Sequence, residues 1–281
     1  MSDRPLPSQP LTHVAELRLS AASALVCQGR SLWVVADDEL KLQRYSLAGE
    51  WRAEWPLLPG ALPDDATERK RAKADFEALA LLPDGALLAL GSGSTAQRRR
   101  GCLVRAGEVR VIDLSPLYLA LDAQFPELNL EGAVVWGGQL VLAQRGNGAE
   151  GHNALILLDL QRSLSDLAAG CLSAAGLLRV VPLRLGDLAG VPLGLTDLAV
   201  DPRGRLYFSA AAEASASTYR DGPCAGSVLG HFAADFALAE MTRLAPPVKI
   251  EGLAFPSAGR LLLVADPDDP ESRAPLFALD L

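Results

Sequence analysis

The sequence predicts an all-β protein, a five-bladed β-propeller of four-stranded antiparallel blades. A short apolar motif with a polar residue near its centre recurs at steps of about 54 to 65 residues, the length of a supersecondary unit. Each copy continues into a hairpin pattern, and a spare strand stands before the first copy. The repeats cover residues 22–281 without a linker, so a single domain over residues 1–281 is expected. The polar residues that mark the five copies are Ser23, Glu77, Glu131, Thr196 and Glu251.

The second copy shows what one unit contains. Residues 77–82 form an apolar run, residues 83–85 (Pro-Asp-Gly) are typical of a tight turn, and residues 86–90 form a second run. Two further runs, residues 102–104 and 109–114, follow after a loop. Four short runs joined by turns indicate a four-stranded antiparallel meander, which is the blade of a propeller.

The two ends of the chain together supply the last blade. The unit that begins at Glu251 is long enough for three strands only. Residues 12–19 alternate apolar and polar side chains, the pattern of a half-buried strand. We expect this N-terminal strand to pair onto the last blade and close the ring, which removes the open edges of a linear array. A six-bladed ring is the alternative, but it needs a further unit within residues 161–176, which have the pattern of a loop or short helix.

Residues 64–73 form a charge-dense insert between the first and second blades. Acidic side chains at its start and basic ones at its end suit a short helix and its dipole. Two interpretations stay open, a solvated connector and a lid over the mouth of the ring.

Composition restricts the classes of function. The chain is 49% hydrophobic and 21% charged, which supplies ample apolar material for a large core. Its net charge of −8 disfavours a nucleic-acid partner, because the phosphate backbone would repel it. No apolar run is long enough to cross a membrane and the N-terminus has no signal-peptide pattern, so we expect no membrane contact and a cytoplasmic location. The four scattered cysteines indicate reduced thiols.

The connectivity of a propeller predicts one functional face. The inner strand of each blade starts on the face to which the loop between the second and third strands returns, so residues at these two places share that face. We predict that a small polar or anionic ligand binds there, with a protein partner as an alternative. The candidate residues at the strand starts are Asp75, Glu77, Asn129, Glu131, Thr196, Asp197 and Glu251, and those in the loops include Asp37, Arg98, Arg145, Asn147, His152, Glu213 and Asp266. The predicted ligand-binding set within them is Arg145, Arg98, Asn147, Asp75 and Asp197.

Three glutamates at one step of the repeat should point toward the same axis. Like charges gathered there raise one another's pKa unless a cation intervenes. One candidate is calcium, which takes about six to eight oxygen ligands and would be bound by Glu77, Glu131 and Glu251. The other is Arg145, from a loop. Two alternatives stay open besides a metal: the glutamates only close the channel through ion pairs and hydrogen bonds, or they face a substrate without metal.

Proton transfer has two candidates on this face, Glu131 and His152, the single histidine predicted there.

A Gly-x-Gly-x-x-Gly pattern at residues 146–151 is followed by a predicted strand and no helix, so no dinucleotide site is expected. Residues 91–94 (Gly-Ser-Gly-Ser) with the three arginines at 98–100 indicate either an anion-binding loop or a mobile hairpin tip with solvated charges.

The motifs Phe-Glu-Ala-Leu, Leu-Glu-Gly-Ala and Ile-Glu-Gly-Leu-Ala-Phe, which start at Phe76, Leu130 and Ile250, resemble those of bacterial propellers grouped as esterase-like phytases. The chain is similar, more distantly, to gluconolactonase and paraoxonase-type lactonases. In these relatives the phrase Glu-Gly-Leu-Ala opens an inner strand, and acidic residues around the channel mouth hold calcium. The resemblance therefore implies the fold, and it implies that Glu77, Glu131 and Glu251 are metal ligands or pore acids. The chain departs from many of these relatives by its missing signal peptide and its count of five blades.

Two functions follow as expectations. The first is a calcium-assisted hydrolase of a phosphate ester, carboxylic ester or lactone, in which the metal polarises the substrate oxygen and Glu131 or His152 activates water. The alternative is a non-catalytic propeller whose acidic and arginine-lined face binds a small polar ligand or a partner protein.

Overall fold

Most of the chain forms short β-strands. The structure, a computed structural model, describes residues 6–146, 151–214 and 222–281. Its helices are α1 (Ala66–Ala72), α2 (Ser115–Leu121) and α3 (Leu160–Ala169), with 3-10 turns at Ala96–Arg98 and Ala174–Gly176. Its strands are β1 (Ser8–Pro10), β2 (Thr12–Glu16), β3 (Ala22–Gln28), β4 (Ser31–Ala36), β5 (Lys41–Ser46), β6 (Trp51–Pro56), β7 (Phe76–Leu81), β8 (Leu87–Gly91), β9 (Arg100–Arg105), β10 (Glu108–Asp113), β11 (Leu130–Trp136), β12 (Gln139–Gln144), β13 (Asn153–Asp159), β14 (Leu177–Leu183), β15 (Asp187–Leu188), β16 (Val191–Val200), β17 (Leu206–Glu213), β18 (Cys224–Phe232), β19 (Leu238–Ala245), β20 (Lys249–Ser257), β21 (Arg260–Asp266) and β22 (Pro275–Asp280).

The strands form the five blades that the repeat predicts. Blades one to four are built from β3–β6, β7–β10, β11–β14 and β16–β19, and blade five from β20–β22 with β2. The inner strands β3, β7, β11, β16 and β20 contact one another in that order, and β20 contacts β3 again. This closed circle of contacts confirms the five-bladed propeller and leaves no place for a sixth blade among the described strands.

The N-terminal segment closes the ring as expected and makes a second contact that the sequence did not predict. Strand β2 pairs antiparallel with β22, with Thr12 opposite Ala278. The preceding strand β1 pairs in parallel with β19 at the edge of blade four, with Ser8 opposite Arg243. The backbone oxygen of Pro7 also accepts hydrogen bonds from Thr242 Oγ1 and the Arg243 backbone N–H, both at 2.8 Å. Residues 7–16 therefore join blades four and five.

The core lies between adjacent blades. One apolar cluster, for example, joins Ala24 and Val35 of blade one to Phe76 and Leu79 of blade two, all of them buried. The inner strands contact a neighbour on each face, so both faces favour apolar side chains. This explains why each motif has apolar residues on both sides of its polar centre instead of a strict alternation.

The polar centre of every motif lies at a β-bulge. The strand register shifts at this residue in the pairing of each inner strand with the next strand of its blade. A bulge leaves one residue outside the ladder and re-aims its side chain, so a polar group can leave the sheet while its apolar neighbours stay in the core. The residues at the five bulges are Ser23, Glu77, Glu131, Thr196 and Glu251.

The glycine that follows two of the glutamates is a packing requirement. A Cβ at Gly132 would lie 3.0 Å from the Asp197 backbone of blade four. A Cβ at Gly252 would lie 3.0 Å from the Ala24 backbone of blade one. The Glu-Gly pair therefore joins a bulge residue to a site of close approach between neighbouring inner strands.

The three helices lie in connections. Helix α1 forms within the predicted charged insert, and its N-cap Asp65 accepts a hydrogen bond of 2.9 Å from the Glu68 backbone N–H. Helix α3 accounts for the surplus sequence at residues 161–176 and is capped by Asp159, which accepts from the Arg162 N–H at 2.7 Å. Helix α2 was not predicted. No helix in the described ranges has the length and apolar character needed to cross a membrane.

Candidate functional site

A polar cavity of about 50 Å³ opens at the face of the ring where the inner strands begin, and we call it the chamber. Among the residues that the structure describes, its lining comes from blades one, two, three and five and from helix α1. This is the face on which the connectivity placed the candidate residues. Its charged lining residues are Asp37, Lys70, Lys73, Asp75, Glu77, Arg98, Glu131, Arg145, Lys249, Glu251 and Asp266.

Arg145 connects three glutamates from three blades. Its Nη1 lies 2.6 Å from Glu131 Oε2 and 3.5 Å from Glu251 Oε1, and its Nη2 lies 2.5 Å from Glu213 Oε2. All four side chains are at most 6% exposed. Gly194 leaves the space for this arginine, because a Cβ there would lie 2.9 Å from Arg145 Cγ. Arg145 is thus the cation that the sequence offered as the alternative to calcium for neutralising Glu131 and Glu251.

Lys249 provides a second positive charge, from blade five. Its Nζ lies 3.2 Å from Glu251 Oε1, 2.9 Å from Asp268 Oδ1 and 3.5 Å from Asp266 Oδ2. Burial opposes the charge on Lys249, but the carboxylates of Glu251 and Asp266 raise its pKa overall. The ammonium therefore stays charged in the folded protein.

Asp75 lies at the centre of a third group of ion pairs. Its carboxylate is contacted by Lys73 Nζ at 2.7 Å and Arg98 Nη1 at 2.8 Å, and it accepts a hydrogen bond of 2.5 Å from Ser92 Oγ. Lys73 Nζ also contacts Asp37. Arg98 is 4% exposed, so it is not part of a mobile tip with solvated charges.

Glu77 differs from the other acids of the chamber. Its side chain is partly buried, and it makes no hydrogen bond or ion pair with any residue that the structure describes. Burial raises its pKa well above the usual 4.5, and the carboxylates of Asp75, Asp37 and Glu131 raise it further. One carboxylate oxygen each from Asp37, Asp75 and Glu77 lie within 4.8 Å of one another, and we call these three residues the acidic triad.

Two further acids have pKa values close to neutrality. Burial raises the pKa of Glu131 to about 8, against the opposing effect of the Arg145 guanidinium. Burial likewise raises the pKa of Asp266 to about 7, against the effect of Lys249. Groups with pKa values near the working pH can both accept and donate protons.

The predicted residues are only partly brought together. Arg145, Arg98, Asp75, Glu77, Glu131 and Glu251 all line the chamber. Of the three glutamates predicted to bind calcium, only Glu77 belongs to the acidic triad, since Glu131 and Glu251 pair with Arg145. Calcium ligation by Glu131 and Glu251 stays a prediction.

Two other predicted residues do not line the chamber, and the position of a third is not described. Asp197 is 1% exposed and accepts backbone hydrogen bonds from Leu198 at 2.8 Å and Leu253 at 2.9 Å, so it joins blades four and five instead of facing a ligand. His152 is exposed and does not line the chamber. Asn147 lies outside the described residues.

Sequence reasoning missed the two lysines. Lys249 stands two residues before Glu251, as Asp75 stands two residues before Glu77, so the repeat carried a usable signal for it. Lys73 is the residue that ends helix α1, and only the folding of that helix over the ring brings its side chain to Asp37 and Asp75. The sequence analysis places Asp37 on this face, in the loop between the second and third strands of blade one, but does not predict it as a ligand.

The acidic triad fits a calcium ion in chemistry and in size. Calcium binds carboxylate oxygens at about 2.3–2.6 Å, so two ligands of one ion lie up to about 5 Å apart. The separation of 4.8 Å within the triad satisfies this limit. Water and an oxygen atom of a substrate would complete the coordination. The Lys73 ammonium contacts two of the three carboxylates, so ion and ammonium would share the same ligands.

The fold and the chamber define a five-bladed β-propeller with an ion-paired polar channel mouth. Residues 18–281 match a family of unknown function, DUF6929, and the chain belongs to that family. No protein of curated function matches the sequence.

Solved structures similar to this chain are also propellers of distant sequence. Glutaminyl cyclase from Myxococcus xanthus is 14% identical over 99% of each chain, with a TM-score of 0.55. A luciferin-regenerating enzyme is 10% identical over 96% of this chain and 95% of that one, with a TM-score of 0.52. The calcium-binding protein regucalcin from Agrobacterium tumefaciens is 14% identical over 98% and 95%, with a TM-score of 0.49. At these identities the likeness concerns the fold alone.

Proposed function

We propose that the chamber binds a divalent cation, calcium in the first instance, through Asp37, Asp75 and Glu77, and that the protein hydrolyses a phosphate ester, carboxylic ester or lactone there. The observation that carries this proposal is the carboxylate of Glu77. The Glu77 side chain has no ion-pair partner among the described residues, and its carboxylate lies beside those of Asp37 and Asp75. Such an arrangement is unfavourable unless a cation reaches it.

The distribution of charge supports a cation at the triad and not elsewhere. Glu131, Glu213 and Glu251 share Arg145, and Asp266 pairs with Lys249. The triad has the basic groups Lys73 and Arg98, but both contact Asp75 and neither contacts Glu77. Glu77 therefore has no direct contact with a cationic group among the described residues.

The chain's own residues have distinct parts in this hydrolysis. A bound calcium ion would polarise the oxygen of the scissile group. In its ionised form, paired with Arg145, Glu131 takes the proton from the attacking water and can return it to the leaving group; burial raises its pKa to about 8, which makes the carboxylate a stronger base. Arg145 holds Glu131 in place through its 2.6 Å contact. Lys249 and Arg98 line the same chamber and contribute positive charge that attracts a polar or anionic substrate.

A non-catalytic binding propeller is the second candidate, and the size of the chamber favours it. A volume of about 50 Å³ holds a few water molecules or an ion, but not an ester together with a water. In that case the cation would be held for structural reasons or as the ligand itself.

A calcium titration followed by thermal unfolding tests the proposal. We expect the melting temperature to rise with calcium in the parent and to stay constant in Glu77→Gln. Glu108→Gln changes an exposed glutamate outside the chamber and serves as the matched control, which should respond like the parent. Loss of the response in the parent, or its survival in Glu77→Gln, would contradict cation binding at the triad.

A substrate screen then separates the two candidate functions. Chromogenic phosphate esters, carboxylic esters and lactones are assayed with calcium and with a chelator. Turnover that requires calcium and is lost in Glu131→Gln supports the hydrolase. Calcium binding without turnover on any of these classes supports the binding propeller.

A further inference from the structure

We infer that the Lys73 ammonium and a divalent cation compete for the acidic triad, so that cation binding detaches helix α1 from the channel mouth and opens the chamber. The inference rests on the cation site of the proposed function and adds a device that regulates access to it. It is carried by the contacts of Lys73, by the way in which α1 is held, and by the size of the chamber.

Lys73 is fixed to the helix and to the triad at the same time. It forms the C-cap of α1, and its backbone N–H donates to the Arg69 oxygen at 2.8 Å. Its Nζ contacts Asp37 and lies 2.7 Å from Asp75 Oδ1. With a residue exposure of 9%, the lysine is almost fully enclosed between the end of the helix and the triad. A cation that takes over the two carboxylates therefore acts directly on the helix end.

Two further contacts between α1 and the ring are also polar. Arg98 Nη2 donates to the Lys70 backbone oxygen at 3.0 Å, and Arg69 Nη1 lies 3.7 Å from Asp38 Oδ2. Thr67, Glu68, Arg71 and Ala72 are exposed, so no apolar side chain is buried in the core within residues 67–72 of this seven-residue helix. A helix of this length is unstable alone, and loss of its anchor should let it fray.

Detachment of α1 would change the chamber itself. Lys70 and Lys73 form the part of its lining that comes from the helix. With both in place the volume is about 50 Å³, which admits an ion but not an ester. Cation binding and substrate entry would thus be ordered events, because the cation must arrive before the chamber can take the substrate.

Charge makes the competition one-sided when the cation is abundant. A divalent ion binds all three carboxylates of the triad, whereas Lys73 contacts two, and Glu77 has no ion pair among the described residues. The electrostatic binding energy at the triad is therefore larger for the divalent ion than for the ammonium. The opposing effect is that Lys73 is covalently attached through α1, which keeps the ammonium at a high effective concentration beside the triad. The balance sets the calcium concentration at which the helix is released.

Hydrogen exchange of the α1 amides with and without calcium tests the inference. In the parent, calcium should speed the exchange of residues 66–72, with the same half-saturation as the calcium-dependent change in melting temperature. Lys73→Met should show fast exchange without calcium and bind calcium about tenfold more tightly, which corresponds to loss of about 1.4 kcal/mol of competition. Arg71→Met, an exposed position on the same helix, should behave as the parent.

The outcomes separate this inference from the proposed function. Calcium binding by the parent with unchanged α1 exchange overturns the release of the helix and leaves the cation site standing. Binding by Lys73→Met but not by the parent supports the competition and overturns a calcium-dependent activity in the parent. Absence of binding in both overturns the inference and the proposed cation site together. The exchange measurement on the parent decides the matter even if Lys73→Met fails to fold.

Discussion

The Nη2 atom of Arg145 lies 2.5 Å from the Glu213 carboxylate, although the two residues belong to different blades and are far apart in sequence. Arg145 follows β12 in blade three, and Glu213 ends β17 in blade four. A further contact to Glu251 extends the connection to blade five. One arginine therefore links three blades at the channel mouth.

Removal of this arginine should destabilise the ring. Arg145→Met leaves three buried glutamates without their shared partner, and we expect the free energy of unfolding to fall by about 3–5 kcal/mol. Urea unfolding followed by circular dichroism measures it. Arg179→Met, at an exposed position of β14, is the control and should change stability by less than about 0.5 kcal/mol. Equal stability of the two variants would show that the Arg145 cluster contributes nothing net to the fold.

The glycine of the Glu-Gly motif should not tolerate a methyl group. A Cβ at position 252 would lie 3.0 Å from both Ala24 Cα and the Leu25 backbone nitrogen, neither of which can turn away. We expect Gly252→Ala to lower the free energy of unfolding by about 1–3 kcal/mol. An unchanged urea midpoint would contradict the close approach of blades five and one.

Thr196 should stabilise the joint between blades four and five. Its Oγ1 lies 2.8 Å from the Ile250 backbone oxygen and 2.8 Å from Ser209 Oγ, in a site without solvent access. Thr196→Val keeps the shape but leaves these groups unpaired, with an expected loss of about 1–3 kcal/mol. Thr12→Val, at an exposed position of β2, is the matched control. If both variants unfold at the same urea concentration as the parent, this hydrogen-bond bridge is not important for stability.

Glu77 should make stability depend on pH. Its pKa in the folded state is raised above 4.5, so its contribution to stability is fully present below pH 4.5 and is lost as the pH rises through the folded pKa. Glu77→Gln, which cannot ionise, should match the parent at pH 4 and be more stable at pH 8. The measurement is the urea midpoint at both values in the presence of a chelator. The control Glu108→Gln should have the urea midpoint of the parent at both pH values. If the difference in midpoint between the parent and Glu77→Gln is the same at pH 4 and pH 8, the raised pKa of Glu77 is refuted.

The architecture could be predicted because a repeated motif stays recognisable when single copies depart from it. Ser23 and Thr196 break the glutamate pattern, yet the apolar residues around them still mark an inner strand. The strand β2 was found because the last unit lacked a strand. By contrast β1 is three residues long, with a proline, and pairs in parallel with a distant strand. Nothing local distinguishes such a segment from a loop.

The site was predicted less completely, and the errors have physical causes. Asp197 follows Thr196 directly and was expected to face a ligand, but its carboxylate is satisfied by two backbone N–H groups, one of which belongs to the next blade. The location of Glu131 in the chamber was predicted, whereas its partner Glu213 was only one of many loop acids. Which acid meets Arg145 depends on the path of each side chain, and the repeat does not encode that.

The sequence by itself therefore determined the blade count, the closure by an N-terminal strand and the face on which polar groups collect. These follow from periodicity and from the connectivity of antiparallel strands, which are local properties. The tertiary structure decided the pairing of charges within that face. Lys73, from a helix outside the repeat, pairs with Asp37 and Asp75. Glu131 and Glu251 pair with Arg145. Glu77 has no ion pair among the described residues. Ion pairing depends on distances of a few ångströms between blades, and only the closed ring sets those distances.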